Sequence, residues 1–283
     1  MYLAHFTAFT APCEIQINVK TKQEGDEILS FLLTEIQRLQ THYSFFETTS
    51  QIYTINHRTS DTLSLSKELS EILALCLFYT QLTQGTFDVA MAGTLKQAYS
   101  ADSLNEYKKI YESLHPFASS KSLSLEGDTL SFSNPYTQID LGGIVKEYAV
   151  DQTILMLQNM GITSALVNFG GDVSAYGTCE SEPWRIGIQD PNNPEANLTI
   201  RELHNASMCT SGHSKRYTMI EEQRFSHIIS ASIALPSAKA PSQISIMAPT
   251  TVDAGIWSTS LLINPSLRSP SHISTLSVWS PKA

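Results

Sequence analysis

The chain has 283 residues, of which 42% are hydrophobic, and a formal net charge of −9. This length and composition allow a substantial core in one large domain or two small ones. Because phosphate backbones are bound by clustered Lys and Arg, and no such cluster occurs, the acidic balance argues against a nucleic-acid partner.

The cysteines and the N-terminus bear on the cellular compartment. The four cysteines are scattered, with no C-x-x-C and no metal-type spacing, which predicts reduced thiols rather than a disulfide framework or a zinc site. No apolar run approaches the ~18 residues of a membrane span. The first residues lack the basic and apolar regions of a signal peptide. We expect a cytoplasmic protein with no membrane span, although an export or lipoprotein signal already removed would leave no trace.

The first half of the chain predicts alternating strands and helices. Polar and apolar residues alternate in a strand at 13–20, and apolar residues recur at helical spacing at 24–40 and 66–84. A shorter helix, a hairpin turning near Gly127 and Asp128, and a further strand are predicted at 102–120, 121–135 and 137–141.

The second half is richer in strands. A helix at 146–160 stops near Gly161, and another occupies 251–263. Strands are predicted at 164–169, 183–190, 196–203, 207–212, 217–230, 244–249 and 273–281. With no repeat and no linker, this pattern favours one α+β (mixed α/β) domain over residues 1–283.

Two Gly-Gly pairs stand at the ends of apolar runs, in "DLGGIVKEYAVD" (140–151) and "VNFGGD" (167–172). A glycine destabilises a folded segment because it loses more conformational entropy on folding than other residues do. It is favoured where the backbone needs an unusual dihedral angle or where a ligand or another chain segment approaches closely. A tight turn without function explains a single pair. The first pair, however, precedes a predicted helix, whose N–H groups and dipole favour an anion such as a diphosphate. Neither a P-loop nor a G-x-G-x-x-G turn is present.

With these motifs the sequence resembles the FAD:protein FMN transferases, the ApbE family. Residues 140–151 are similar to the family's D-L-G-G-I-A-K-G-Y-A-V-D, and residues 165–172 to A-L-V-N-x-G-G-D. "YSFFETTSQIYTIN", "GTFDVA", "PWRIGIQDP" and "CTSG" followed by "SHII" match further family segments in the right order, from about residue 43 to residue 263.

The resemblance implies a fold of mixed sheets with packed helices and an FAD cleft between lobes. It implies that FAD is bound with Mg²⁺ at its diphosphate, and that FMN is transferred to a threonine of an acceptor flavoprotein with release of AMP. Such phosphoryl transfer needs positioning and charge neutralisation. The resemblance assigns the proton-handling role to His227 and the metal to Val145 (carbonyl), Thr259 and a carboxylate. It implies FAD-binding roles for Asn56, Asp88, Asp140, Gly142, Gly143, Lys146, Gly170, Gly171, Asp172, Thr210, Ser211 and Gly212.

Structural roles explain several of these residues equally well. Asp140 could only cap the following helix, Lys146 could be a solvated helix residue, and His227 could be a core histidine. Trp184 is predicted to be a core residue, although the family places it near the site.

The sequence departs from the family pattern at four places. Ala11, Pro12 and Cys13 replace M-G-T, with loss of a flavin-side contact, and Ser230 stands where aspartate is expected. Glu147 replaces the glycine after the lysine, where it either repels phosphate or helps to hold a cation. Gly255 replaces the metal-binding aspartate.

The missing aspartate puts Mg²⁺ binding in doubt, because this ion prefers hard oxygen ligands. Asp253 lies two residues earlier, which turns its side chain by about 200° on a helix. It replaces the aspartate only if the helix starts later or contains a bulge. The other possibility is that phosphates and water hold the metal with Val145 and Thr259 alone.

Four functions follow from the pattern and its departures: an FMN transferase, a catalytically impaired FAD-binding relative, an FAD diphosphate hydrolase, and an interaction protein without nucleotide. Identification of the reaction products and measurement of FAD binding distinguish these four functions.

Overall fold

The computed structural model of the protein describes residues 1–212, 217–226, 228–229 and 243–279. The helices in these ranges are α1 Lys22–His42, α2 Gln51–Asn56, α3 Lys67–Leu82, α4 Val89–Lys96, α5 Leu104–Leu114, α6 Val145–Asn159 and α7 Thr251–Ile263. The strands are β1 Tyr2–Ala8, β2 Ala11–Ile17, β3 Thr62–Ser64, β4 Leu123–Glu126, β5 Thr129–Phe132, β6 Ala165–Phe169, β7 Asp172–Tyr176, β8 Trp184–Asp190, β9 Asn193–Leu203, β10 Ala206–Gly212, β11 Tyr217–Ile220, β12 Gln223–Ser226, β13 Gln243–Ala248 and β14 Ser274–Trp279.

A seven-stranded sheet in the order β1-β2-β6-β7-β10-β13-β14 organises the molecule. Each neighbouring pair is antiparallel. In β2, buried Cys13, Ile15 and Ile17 alternate with less buried polar residues, so one face of the strand enters the core. The two glycine turns lie before α6 and between β6 and β7.

Helix α6 packs against both α1 and α7, and also against β6 and β7, while α7 packs against β10 and β13. The core includes Leu32 and Ile36 of α1, Val150 of α6, and Ile256 of α7, all nearly inaccessible to solvent. Burial of these apolar faces is the main force that fixes the helices against the sheet.

Three smaller sheets complete the fold: β3-β5-β4, β8-β9 and β11-β12. The β11-β12 hairpin packs through Ile220 and Phe225 on Tyr107 and Tyr111 of α5. No α-helix in the part of the chain that the structure describes is both long and apolar enough to cross a lipid bilayer.

The predicted mixed α/β class is confirmed, as are the long helices, the 121–135 hairpin and most strands. The strand predicted at 137–141 is wrong. Its backbone is bonded by side chains instead: Gln138 exchanges hydrogen bonds with Thr94 Oγ1, and Ile139 with the Asn56 amide. The first strand, β1, was not predicted from the sequence, nor were α2, α4, β3 and β7.

Candidate functional site

The two glycine turns are joined by an ion pair. Lys146, in the first turn of α6, places its ammonium against the carboxylate of Asp172, the first residue of β7. Their side chains are only 15% and 8% exposed. Gly142, Gly143, Gly170 and Gly171 are themselves exposed. The predicted site residues of both motifs therefore come together, with open main chain on either side of a half-buried cation.

The first turn does not need glycine for its own conformation. Neither Gly142 nor Gly143 has a positive φ, and a Cβ at Gly143 would meet only Phe87, at an ordinary 3.6 Å. Asp140 accepts a hydrogen bond from Gly142 N at 2.9 Å and forms an ion pair with Lys96. Asp140 thus closes the turn rather than capping α6, whose first turn has no side-chain cap. The uncapped N–H groups leave this helix end able to receive an anion.

Asn56 positions the first turn from a distance in sequence. Its amide nitrogen donates to Ile139 O and its amide oxygen accepts from Ile139 N, both at 2.8 Å. Asn56 is 9% exposed, so both amide groups are committed to the backbone. The structure therefore gives Asn56 a role in holding the segment before the glycines.

The second turn combines one crowded glycine with one open glycine. Gly170 has φ +65°, and a Cβ there would lie 2.6 Å from Ala11 Cβ. Its N–H donates to Pro12 O, so the divergent Ala11–Cys13 segment borders this turn. Gly171 has φ +98° and no atom within 4 Å of a Cβ position. Packing explains Gly170, whereas Gly171 faces open space.

Asp88 is fully engaged inside the protein. It accepts from Ala90 N and Met91 N at the start of α4, and from the N–H and hydroxyl of Ser120. Asp88 is 6% exposed. Asp88 is therefore the N-cap of α4 and helps to hold this helix in place. Lys96, the last residue of α4, pairs with Asp140 of the first glycine turn.

The end of β10 faces α7 through hydroxyl groups. Ser211 Oγ lies 2.8 Å from Thr259 Oγ1 and 2.7 Å from Ser258 Oγ. Thr210 Oγ1 points instead to Ser245 Oγ on β13, at 2.8 Å. Thr210, Ser211 and Gly212 are half-buried. The structure thus brings Ser211 and Thr259, predicted separately, into one oxygen-rich cluster.

Glu147 of α6 lies directly over Gly255 of α7. A Cβ at Gly255 would be 2.6 Å from Glu147 Cγ and 3.2 Å from its Oε1. Oε1 lies 3.2 Å from Lys146 Nζ, whereas Oε2 has no hydrogen-bond partner among the described residues. Glu147 is 8% exposed. Burial and the negative charge of Glu147 both raise the pKa of the neighbouring Cys209 thiol.

Asp253 is hydrogen-bonded elsewhere. It accepts from the hydroxyls of Tyr79 and Thr250, and its N–H donates to Thr250, the N-cap of α7. Helix α7 is regular from Thr251 and shows no late start that would turn Asp253 toward Thr259. Its assignment as a metal ligand stays a prediction.

The remaining predicted ligands are oxygen atoms. Val145 is the first residue of α6, and its side chain is buried. Within the described ranges, no group of three or more His, Cys, Asp or Glu side chains is placed to hold a metal ion. A cation here would need carbonyl, hydroxyl or phosphate oxygens as well. His227 and Ser230 lie outside the described residues.

Four residues with a clear place at the site were not predicted from the sequence. Lys96 contacts Asp140 and lies 4.9 Å from the Phe45 ring, and Tyr79 binds Asp253. Ser120 binds Asp88, and Asp151 accepts from Thr251 N and Val252 N at the start of α7. Burial raises the pKa of Asp151 despite those donors. Only Asp151 had a signal, as the final residue of the first Gly-Gly motif.

Comparison with known proteins gives consistent matches. A profile described as the ApbE family matches residues 9–277. An FAD:protein FMN transferase of Haemophilus influenzae is 24% identical over 254 residues, covering 86% of this chain and 73% of that protein. The protein of the same name from Vibrio cholerae is 25% identical over 258 residues, covering 87% and 77%.

Two solved structures share the fold. The Thermotoga maritima ApbE protein superposes with a TM-score of 0.81 at 23% identity, covering 93% of this chain and 86% of that one. The flavin transferase ApbE of Vibrio cholerae gives 0.79 at 19% identity, covering 99% and 97%. The fold of mixed sheets with packed helices that the resemblance implied is therefore confirmed.

Proposed function

Because the chain belongs to the ApbE family, we propose that it is an FAD:protein FMN transferase. In this reaction the hydroxyl oxygen of an acceptor threonine bonds to the phosphorus of the FMN half of FAD. The bond from that phosphorus to the bridging oxygen breaks, AMP leaves with the bridging oxygen, and the threonine proton passes to a base.

The observation that carries the proposal is the convergence of two exposed glycine turns on Lys146. The uncapped N–H groups of α6 offer partial positive charge to a diphosphate beside the Lys146 ion pair, and the glycines let main chain approach it. The cleft for FAD between lobes is part of the proposal. Without a Cβ at Gly142, Gly143 or Gly171, the nucleotide can lie against the backbone.

Other residues of the site have supporting roles in this proposal. Asn56 and Asp88 hold the first turn and α4 in place through the hydrogen bonds described above. The 210–212 segment lies beside the phosphates and the adenosine. His227 is the proposed base that accepts the threonine proton, a task suited to imidazole.

The residues present fit a hard divalent cation such as Mg²⁺. The buried Glu147 carboxylate has an oxygen without a partner among the described residues, and the Thr259 hydroxyl lies one helical turn after Gly255. With the Val145 carbonyl, these oxygens are of the kind that Mg²⁺ prefers. When bound, Mg²⁺ would neutralise charge on the diphosphate.

The partner of the transferase is a flavoprotein that presents a threonine to the site. The cytoplasmic location stays a prediction.

The test is to mix the purified protein with FAD and Mg²⁺, with and without a threonine-containing acceptor flavoprotein, and to separate the products by chromatography. AMP together with covalent flavin on the acceptor supports the proposal. AMP with an equal amount of free FMN indicates an FAD diphosphate hydrolase. FAD binding without products indicates an impaired relative, and no binding overturns the proposal. An EDTA arm measures the dependence on Mg²⁺.

A further inference from the structure

Residues 147 and 255 fill one space between helices α6 and α7. The interior of α7 does not need glycine for its dihedral angles, and Gly255 has no positive φ. What glycine provides is room, because a Cβ would lie 2.6 Å from Glu147 Cγ. A side chain at 255 and the present position of Glu147 are therefore mutually exclusive.

The Glu147 carboxylate has fewer hydrogen bonds and ion pairs among the described residues than a buried negative charge needs. One ammonium, that of Lys146, serves both Glu147 and Asp172, and each of these residues is less than a tenth exposed. Oε2 of Glu147 accepts no hydrogen bond from the described residues. A buried carboxylate in this condition is costly unless a further cation or donor reaches it.

Oxygen atoms suited to a cation lie nearby. Thr259 is four residues after Gly255, on the same face of α7, and its hydroxyl contacts Ser211. Asp253, by contrast, has both carboxylate oxygens bonded to Tyr79 and Thr250. The carboxylate with free bonding capacity comes from α6 and not from α7.

We infer that Glu147 supplies the carboxylate for the divalent cation, in the space that a side chain at residue 255 would otherwise occupy. This assignment rests on the proposed function, since the phosphates of FAD complete the ligand set. With Glu147, Thr259 and the Val145 carbonyl as its protein ligands, the cation should bind tightly only when FAD is present.

The test is a titration of Mn²⁺, a paramagnetic substitute for Mg²⁺, into the FAD-saturated protein, with free Mn²⁺ measured by electron paramagnetic resonance against an FAD blank. We expect Glu147→Gln to weaken Mn²⁺ binding by about tenfold or more. FAD binding in EDTA, followed by flavin fluorescence, should not weaken, because the variant removes negative charge near the diphosphate. Glu71→Gln, at a side chain 64% exposed, is the matched control.

Two further variants keep the assignment falsifiable if Glu147→Gln folds poorly. The double variant Glu147→Gly with Gly255→Asp returns a carboxylate to α7 and should recover Mn²⁺ affinity. Glu147→Asp withdraws the carboxylate and should bind less tightly than the unmodified protein. Unchanged affinity in Glu147→Gln or Glu147→Asp, or a loss confined to Asp253→Asn, would overturn the assignment.

The two proposals fail in different ways. If the unmodified protein binds FAD and releases AMP but the Glu147 variants retain Mn²⁺, only the carboxylate assignment is wrong. If the unmodified protein binds no FAD, the proposed function fails, and the assignment fails with it.

Discussion

Lys146 and Asp172 contact each other across the two glycine turns, with side chains 15% and 8% exposed. The contact joins the start of α6 to the start of β7, so one ammonium serves both the stability of the fold and the charge of the site.

Replacing Lys146 with Met should destabilise the protein by about 3–5 kcal/mol, because Asp172 and Glu147 would remain buried without their cation. Urea unfolding without nucleotide measures this loss. Lys67→Met is the matched control: Lys67 pairs with Glu71 on the surface, where the side chains are 84% and 64% exposed. It should cost less than about 1 kcal/mol. Equal effects would show that the buried pair is not important for stability.

Alanine at two glycines should have opposite consequences. Gly143→Ala meets only an ordinary contact, so stability should change by less than about 0.5 kcal/mol, while the Kd for FAD rises by about tenfold or more because the methyl group stands between backbone and ligand. Gly170→Ala combines a left-handed φ with a clash at Ala11 and should cost about 1–2 kcal/mol or more. Thermal unfolding and FAD fluorescence titration distinguish them. Normal FAD affinity in Gly143→Ala would argue against close approach there.

Asn56→Asp should destabilise the protein by about 2–3 kcal/mol, since Ile139 O would lose its donor and face a buried carboxylate. FAD affinity should fall as well, because Ile139 precedes the first turn. Asn264 is the control: its side-chain oxygen only accepts hydrogen bonds from Ser266, so Asn264→Asp should be close to neutral. If Asn56→Asp altered affinity but not stability, Asn56 would contact the ligand directly.

The Arg38–Glu68 ion pair should make the free energy of unfolding depend on pH. Two hydrogen bonds from Arg38, aided by Tyr43, hold the pKa of Glu68 below its usual value. A depressed pKa means that the stabilisation is present above the pKa of the unfolded chain and is lost as pH falls through the folded value. Because the pair is partly exposed, we expect Glu68→Gln to cost only about 1 kcal/mol at pH 7. Urea unfolding of both proteins should show this difference shrinking below about pH 4.5. A constant difference would contradict the account.

Local sequence patterns predicted the helices and strands that are stabilised mainly by local interactions and by burial of one regular apolar face. The spacing of Leu32, Ile36 and Leu39 was sufficient for α1, and the alternation in β2 for a strand. Residues 137–141 were predicted as a strand, but their backbone is hydrogen-bonded by the side chains of Asn56 and Thr94, far away in sequence. Hydrogen bonds between side chains and a distant backbone segment leave no periodic pattern of apolar residues from which they could be predicted.

For the candidate site too, local motifs could be predicted from the sequence, whereas contacts between residues distant in sequence could not. The Gly-Gly motifs identified two turns, but their joining through Lys146 and Asp172 is a tertiary contact. Glu147 and Gly255 each stood out as departures from the family pattern, yet sequence alone gave no reason to connect them. Their relation appears only when α6 is packed on α7.

The contact between Glu147 and Gly255 also constrains the order in which mutations could have accumulated. In a chain with aspartate at 255 and glycine at 147, a newly acquired glutamate could not take its present position, because its Cγ and the Cβ at 255 would lie 2.6 Å apart. The order that avoids this overlap replaces the aspartate first, which leaves glycine at both positions. Once the glutamate is in its present position, a return to aspartate at 255 would require the Glu147 side chain to move.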